Sequence, residues 1–350
     1  MTRIREATRD DNDGLLSLTA ITPMGGAIAI RSDRLPDFFR LLDRRGPSHV
    51  LVAEEGRTIV GSLSANRVEV YVEGSPEAVH YVGDLKVHPE HRKTGLATGL
   101  LKAMQRDLEA AGADLVLCTA AFGNERVLPY MEGRAGLPRT IALGVFKVTQ
   151  LLPARRPGRA GAYEIREEPE RPEILGLYND HFRSYQFGPI VGPGTLRDAR
   201  HWVARSDGGI QASLSLLDVG DSRQNVIVRL PFVLGALVPI AKALRRVVPV
   251  PDLPAKGVPI RTLYIKALAC RPGHEAALDL LVRKARHQAF KENYHFIAMG
   301  FHEKDPLGPR LANGPKFTFK SLGFVVGLRR SRDELEALAR RVPYEDYSLV

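Results

Sequence analysis

Two stretches of this chain, 180 residues apart, read as the same strand, turn, long helix and second strand, and any fold must accommodate both. Leu85-Lys86 is matched by Ile265-Lys266, Leu100-Leu101 by Leu280-Leu281, and Leu115-Val116-Leu117 by His295-Phe296-Ile297. Two helices share a Leu-Leu pair by chance; a strand, a helix and a strand that keep register from 85 to 117 are harder to produce that way. The starts echo as well, Thr2-Arg3-Ile4-Arg5-Glu6 against Tyr163-Glu164-Ile165-Arg166-Glu167, and a late Gly136-Leu137 has a loose counterpart in Gly323-Phe324. Two copies of one fold follow, and a length of 350 residues suits two cores better than one. The expected division is a first domain at 1–152, a linker at 153–162 carrying Arg155, Arg156, Pro157, Gly158 and Gly161, and a second domain at 163–350.

Within the first copy the pattern predicts a strand at 2–7 and a short helix opened by Asp10, Asp11 and Asn12. A second helix is predicted from Ser32-Asp33, with Pro36 in its first turn and Leu35, Phe38, Phe39, Leu41 and Leu42 on one face. A hairpin pairs 50–53 with 58–66 around Glu55-Gly56, and a strand at 78–87 ends at His88-Pro89. A helix at 96–111 buries Leu100, Leu101, Met104 and Leu108 and is closed by Gly112. An apolar strand at 114–119, a short helix at 124–131 and a closing strand at 140–151 complete an α/β (α+β) domain.

The chemistry is concentrated where the strand at 81–87 runs into Glu90-His91-Arg92-Lys93-Thr94-Gly95-Leu96-Ala97-Thr98 and then directly into the long helix. Such a turn leaves backbone N–H groups without intrahelical partners, aimed at one spot, where the helix dipole adds about half a positive charge. Together they make a seat for a diphosphate. Gly95 allows close approach, and Arg92 and Lys93 add cationic donors. The bare spacing Arg-x-x-Gly-x-Ala recurs at Arg155 to Ala160, with no strand before it and no helix after it, so the setting carries the weight.

The run Asp84-Leu85-Lys86-Val87-His88-Pro89-Glu90-His91-Arg92-Lys93-Thr94-Gly95-Leu96-Ala97 resembles the central motif of the GNAT acetyltransferase superfamily. The resemblance covers residues 1–151. It implies two tandem GNAT folds, each a mixed, mostly antiparallel twisted sheet flanked by helices, with acetyl-CoA as co-substrate in the first. Backbone groups of Leu85, Lys86 and Val87 would then meet the pantetheine and thioester. Arg92, Lys93, Thr94, Gly95, Leu96, Ala97 and Thr98 would wrap the pyrophosphate, and Asn124 would touch the cofactor arm. Tyr130 resembles the tyrosine that protonates the departing thiolate, although it follows Asn124 by six residues where seven is commoner. Asp84 is the nearest carboxylate for the base role, direct or through water, with His80, Tyr81 and Glu69 as weaker candidates. Cys118, inside an apolar strand, reads as a small core residue.

The second copy departs at the decisive positions. Counting 180 forward from Arg92, Gly95 and Ala97 gives Pro272, Glu275 and Ala277, and Asn124 becomes Lys304. A glutamate at the phosphate seat repels the ligand and the proline removes a donor. This copy is therefore expected to be degenerate and to shape the substrate site, the domain interface or a homodimer.

The net charge of +10 lies wholly after residue 150, since the first 150 residues hold equal numbers of acids and bases. Those cations are scattered and accompany no helix-turn-helix, zinc-finger or RNP pattern, so nucleic acid is not expected as a partner. The longest apolar stretch, 231–241, contains two prolines and a glycine and falls far short of the roughly 20 residues of a membrane span. The polar start has no secretory core. The only cysteines, Cys118 and Cys270, make no disulfide framework and no metal spacing, so neither a metal nor an export route is expected and the location is cytoplasmic. The reading is an acetyl-CoA-dependent N-acetyltransferase acting on a small-molecule or protein amine, with the acceptor entering from the opposite side of the split strands, near Thr22 to Ile30 and the strand after Tyr130. A CoA-binding regulatory protein without turnover is the alternative.

Overall fold

A computed structural model of the chain describes residues 2–25, 28–124, 127–133, 136–156, 161–231 and 252–350. The first half runs β1 (Arg3–Glu6), α1 (Asn12–Ala20), β2 (Ala29–Asp33), α2 (Arg40–Arg45), β3 (Ser48–Glu55), β4 (Thr58–Val72), β5 (Ser75–Val87), α3 (Leu96–Ala110), β6 (Leu115–Ala121), α4 (Leu128–Met131) and β7 (Ile141–Leu151). The second runs β8 (Glu164–Glu168), α5 (Pro172–Phe182), β9 (Gly188–Pro189), β10 (Arg200–Ser206), β11 (Gly209–Asp218), β12 (Gln224–Arg229), β13 (Pro259–Ile260), β14 (Thr262–Cys270), α6 (Glu275–Lys291), β15 (Phe296–His302), α7 (Leu307–Leu311), β16 (Lys316–Gly327) and α8 (Arg332–Leu338). Leu96 and Glu275 open the two long helices, and Leu115 and Phe296 the strands after them, each within one residue of the 180 spacing.

One twisted sheet joins both halves in the order β1-β3-β4-β5-β6-β16-β7-β15-β14-β11-β10-β8, with β9 against β4. Among the described residues its parallel pairs are β5–β6 and β14–β15, the middle pair of each half; the other pairings are antiparallel. At the centre the halves exchange strands. β16, from the second half, lies between β6 and β7, and β7, from the first, lies between β16 and β15. The closing strand expected at 140–151 thus forms, but its neighbours both belong to the second half. Leu115, Leu117 and Leu143 consequently share a core with Val325, Leu335 and Leu338. Arg330, just past β16, ties the halves further by donating to Asp114 at 2.8 Å and Glu77 at 2.6 Å.

The helix expected from Ser32-Asp33 is replaced by β2 and a shorter α2. β2 pairs with β12 of the second half, from Asp33 opposite Gln224 to Ala29 opposite Arg229, in a small sheet with β13. A pairing partner almost two hundred residues away overrides local periodicity. Phe38, Phe39, Leu41 and Leu42 are buried as expected, whereas Leu35 is exposed. The segment expected to line the acceptor site, 22–30, is drawn into the same sheet: Met24 and Ile30 exchange hydrogen bonds of 2.8 and 3.2 Å, and Ile30 faces Ile227. Gly26 lies outside the described residues. The short helix expected at 124–131 is limited, among the described residues, to α4.

In the second half β14 and β15 part after Tyr264 and Ala298. The resulting slot is filled. His181, Tyr185 and Tyr344 line, with Ile265 and Met299, a cavity of about 20 Å³, room for about one water. Tyr344 donates its hydroxyl to the Lys266 carbonyl at 3.2 Å. Burial pulls the His181 imidazole down to about 4. As pH falls from the unfolded value of about 6.5 toward 4, the unfolded chain takes up a proton that the folded chain refuses, so stability drops across that window. Replacing His181 with Asn is expected to flatten this part of the pH–stability curve in denaturant titrations between pH 7 and 4. An unchanged slope would show that the ring is not the group responsible.

Candidate active site

The first-half site begins where β5 and β6 separate. They pair in parallel at His80–Val116 and Tyr81–Leu117, after which β5 continues to Val87 without β6 beside it. On its other edge β5 bulges against β4: Ser64 faces Gly83 and Ser62 faces Lys86. The bulge holds Asp84 at φ +54°, in the left-handed region that non-glycine residues seldom occupy. The buried hydroxyls of Ser62 and Ser64 donate to the carbonyls of Asp84 at 3.3 Å and Gly83 at 3.1 Å. The kink thereby turns the backbone of Leu85, Lys86 and Val87, all half-buried, along the opened edge.

Beyond Val87 a single 3₁₀ turn leads to Arg92, Lys93 and Thr94, all exposed, and to Gly95 at φ +86°, which caps α3. Thr94 donates its hydroxyl to the His91 carbonyl at 2.7 Å and so tightens the turn. The hydrogen bond from Gly99 N–H to the Gly95 carbonyl, 3.0 Å, starts the helical ladder. The amides of Leu96, Ala97 and Thr98 precede it and have no intrahelical acceptor. A Cβ built on Gly95 meets nothing within 4 Å, so open space lies beside the Gly95 backbone. Leu100, Ala103, Met104 and Leu108 anchor α3 against Leu51, Ala53, Leu63 and Val116, which fixes the turn relative to the split.

In the second half the corresponding helix start aligns Glu275 with Leu96, one residue later than sequence spacing suggests. Gly273 there has φ +83°, and its N–H donates to the Glu275 carboxylate at 3.1 Å. That carboxylate occupies the anion seat of its own helix.

Asp84 does not stand free. Arg34 Nη2 donates to both its oxygens at 2.9 Å, and Lys86 Nζ is 3.8 Å away. Burial alone would raise the carboxyl; Arg34, with Lys86 and Arg45 behind it, outweighs burial and holds it below the ordinary carboxylate value. Burial lowers the Lys86 ammonium, whose side chain turns to this pair. Tyr81, at the last paired position of β5, shares a 2.7 Å hydrogen bond with Thr119 across the mouth of the split, and burial raises its phenol. Asn124 is exposed just past β6, its N–H on the Ala121 carbonyl at 3.0 Å. Tyr130 lies half-buried in α4, whose next residue, Met131, sits 3.9 Å from Cys118 Sγ on β6. Burial pushes the Cys118 thiol up to about 12, which suits a core residue and not a nucleophile. His80 is lowered by burial, and the exposed Glu69 pairs with Arg67 at 2.8 Å.

Sequence spacing gave no sign of Arg34, Arg45 and Glu345. Arg45 Nη2 donates to Glu345 at 3.0 Å, and the Arg45 guanidinium lies 3.5 Å from the centre of the Tyr81 ring. The Glu345 side chain is 10% exposed; burial raises its carboxyl, Arg45 opposing and Asp346 adding to the rise. Among the described residues no group of three or more His, Cys, Asp or Glu could hold a metal, and no helix is long and apolar enough to cross a membrane.

The first half thus sets a parallel pair that splays beside a bulge next to a glycine-capped helix start. The sequence model of the acetyltransferase (GNAT) domain matches residues 3–124, about a third of the chain, and solved structures show the same fold over most of its length. N-myristoyltransferase of Saccharomyces cerevisiae with bound myristoyl-CoA superposes with a TM-score of 0.59 at 13% identity, covering 94% of this chain and 80% of that one. A protein of unknown function from Enterococcus faecalis V583, described as a probable N-acyltransferase, gives 0.52 at 10% identity, over 92% of this chain and 72% of that one. A GCN5-related N-acetyltransferase from Anabaena variabilis gives 0.52 at 10%, over 93% and 72%. No curated protein sequence matches.

Proposed function

We propose that the protein is an acyl-CoA-dependent N-acyltransferase with its cofactor site in the first half and acetyl as the group transferred. The supporting observation is the open seat at Gly95, aligned by α3 with a strand pair that separates after Tyr81 and Leu117. The coenzyme's diphosphate would rest on the amides of Gly95 to Thr98 with Arg92 and Lys93 outside it. The pantetheine would follow Leu85 to Val87 into the split, and Asn124 would meet the arm from the β6 side. The bulged backbone of β5 would offer an N–H to the thioester oxygen as charge develops there.

Transfer is by direct attack in a ternary complex. The amine nitrogen bonds to the thioester carbon, the C–S bond breaks, the departing thiolate takes a proton from Tyr130, and the amine gives up its own to a base. Asp84, clamped by Arg34 and held acidic, is better suited to fixing Arg34 and the bulge. Glu345, buried, raised and one guanidinium away from Tyr81, suits the base role. Glu345→Gln is expected to lower kcat by about 10²-fold at neutral pH, leave CoA affinity unchanged and remove the acid limb of the pH–rate profile. That limb should fall above the ordinary carboxylate range, since the rate declines as pH drops through the raised value. A retained limb would return the role to Asp84.

The direct test of the function is free-thiol release from acetyl-CoA and longer acyl-CoAs across an amine library, alongside calorimetry for cofactor binding. Binding without thiol release from any amine would favour a CoA-responsive binding protein instead.

A further inference from the structure

The acyl site occupies one side of the β5–β6 split. On another side, α2 and the loop at 194–199 flank a groove of about 590 Å³, within the usual size of a ligand site, whose charged lining is Arg40, Arg44, Arg45, Arg197 and Lys266 against Asp43 and Asp198. Arg45 belongs both to this groove and, through the Tyr81 ring, to the split.

The charges here are not closed. The side chains of Arg34 and Arg45 are 6% and 7% exposed, and each commits one nitrogen to a carboxylate, Asp84 or Glu345. The other terminal nitrogen of each, Nη1, is buried with no hydrogen-bond partner. Arg223 gives its Nη groups to the main-chain carbonyls of Tyr347, Ser348 and Val350 and leaves Nε buried and unpaired. A buried donor left unmade costs its full desolvation, more when charged, and two or three together are a poor structural solution. The tally of neighbouring side chains points the same way. Arg34, Arg45, Lys86 and Lys266 face Asp84, Glu345 and Asp346, an excess of one positive charge, with Arg223 adding its own beside Arg34. Burial, and then the repulsion of Arg223 and Arg45, pull the Arg34 guanidinium down.

We propose that the acceptor is an amine that carries its own carboxylate, an amino-acid or peptide-like zwitterion entering by this groove. The carboxylate answers the surplus positive charge beside Arg45, while the amine is delivered toward Glu345. The proposal rests on the acyl-transfer reading. A polyamine or another polycation would meet the same surplus as repulsion, and a neutral amine would leave the guanidinium nitrogens unpaired.

The test changes the ligand before the protein. Glycine, β-alanine, γ-aminobutyrate and glycylglycine, each paired with its carboxamide, and spermidine are titrated calorimetrically into the full chain saturated with CoA. At least one acid is expected to bind tenfold or more tighter than its amide, with spermidine weakest. Arg45→Met and Arg45→Lys are expected to erase and to shrink that ratio, with CoA affinity intact in both. No acid binding tighter than its amide, or spermidine binding best, overturns the proposal. Failure to bind CoA strikes the parent reading instead, and the acid-to-amide ratio measured on the unloaded protein then separates the two.

Discussion

Gly95→Glu should abolish CoA binding while the protein still folds. The glycine sits at φ +86° with open space where a side chain would begin, so the substitution has two separable effects. A non-glycine residue in the left-handed region costs roughly 1–2 kcal/mol, enough to lower Tm by a few degrees without unfolding the chain. The larger effect is electrostatic. A carboxylate held within about 4 Å of a diphosphate is opposed by about 4 kcal/mol per unit charge at an effective dielectric of 20, so affinity should fall by 10³-fold or more. Gly95→Asn separates the effects, because asparagine tolerates the left-handed backbone and brings no charge. It should keep the fold and most of the affinity. Calorimetry and the upward Tm shift caused by CoA are the readouts. Glu275 in the second half shows the same chemistry already present, a carboxylate at the helix start with a backbone N–H donating to it at 3.1 Å. Undiminished affinity in Gly95→Glu would mean that the diphosphate rests elsewhere.

How much of this was legible in the sequence depended on the range of the interaction. The turn at 92–98, the α3 stripe and the β3–β4 hairpin are set by local rules: unpaired amides at a helix start, apolar residues at helical spacing, a glycine at a tight turn. The periodicity of 35–42 misled because the chain just before it is captured by β12. The strand exchange left no local mark, since β7 and β16 alternate and end like ordinary closing strands. For the site, the backbone elements could be read from spacing, but the side chains around them could not. Arg34 precedes α2, Arg45 ends it and Glu345 lies beyond α8, so the cluster exists only once the halves are joined. Asp84 illustrates the difference: it stands where the motif puts it, and its chemistry is set by an arginine fifty residues away.

The exchange leads to the other large effect. Expressed alone, residues 1–152 should not form a cooperatively folded protein. The fragment lacks β16, so β6 would expose its edge from Leu115 to Ala121, and β7 would lose both of its neighbours, β15 and β16. Leu115, Leu117 and Leu143 would lose Val325, Leu335 and Leu338 from their shared core. Burying a single leucine or valine side chain contributes about 1.5–3 kcal/mol, so losing several such contacts is comparable with the roughly 5–15 kcal/mol that holds a typical domain. An unpaired apolar edge also invites aggregation. The fragment at 163–350 should fare no better, because β15 would lose β7 and with it Leu151, part of the second-half core. Co-expression of the two fragments should restore a soluble one-to-one complex. Cleavage of the intact protein at a protease site inserted after residue 156 should leave the halves together on a sizing column and melting in one transition. The linker contributes mainly effective concentration, so the cut should lower stability without dividing the molecule. A monomeric 1–152 fragment with its own sharp melting transition would show that the interleaved strands are dispensable, and that each half closes its sheet alone.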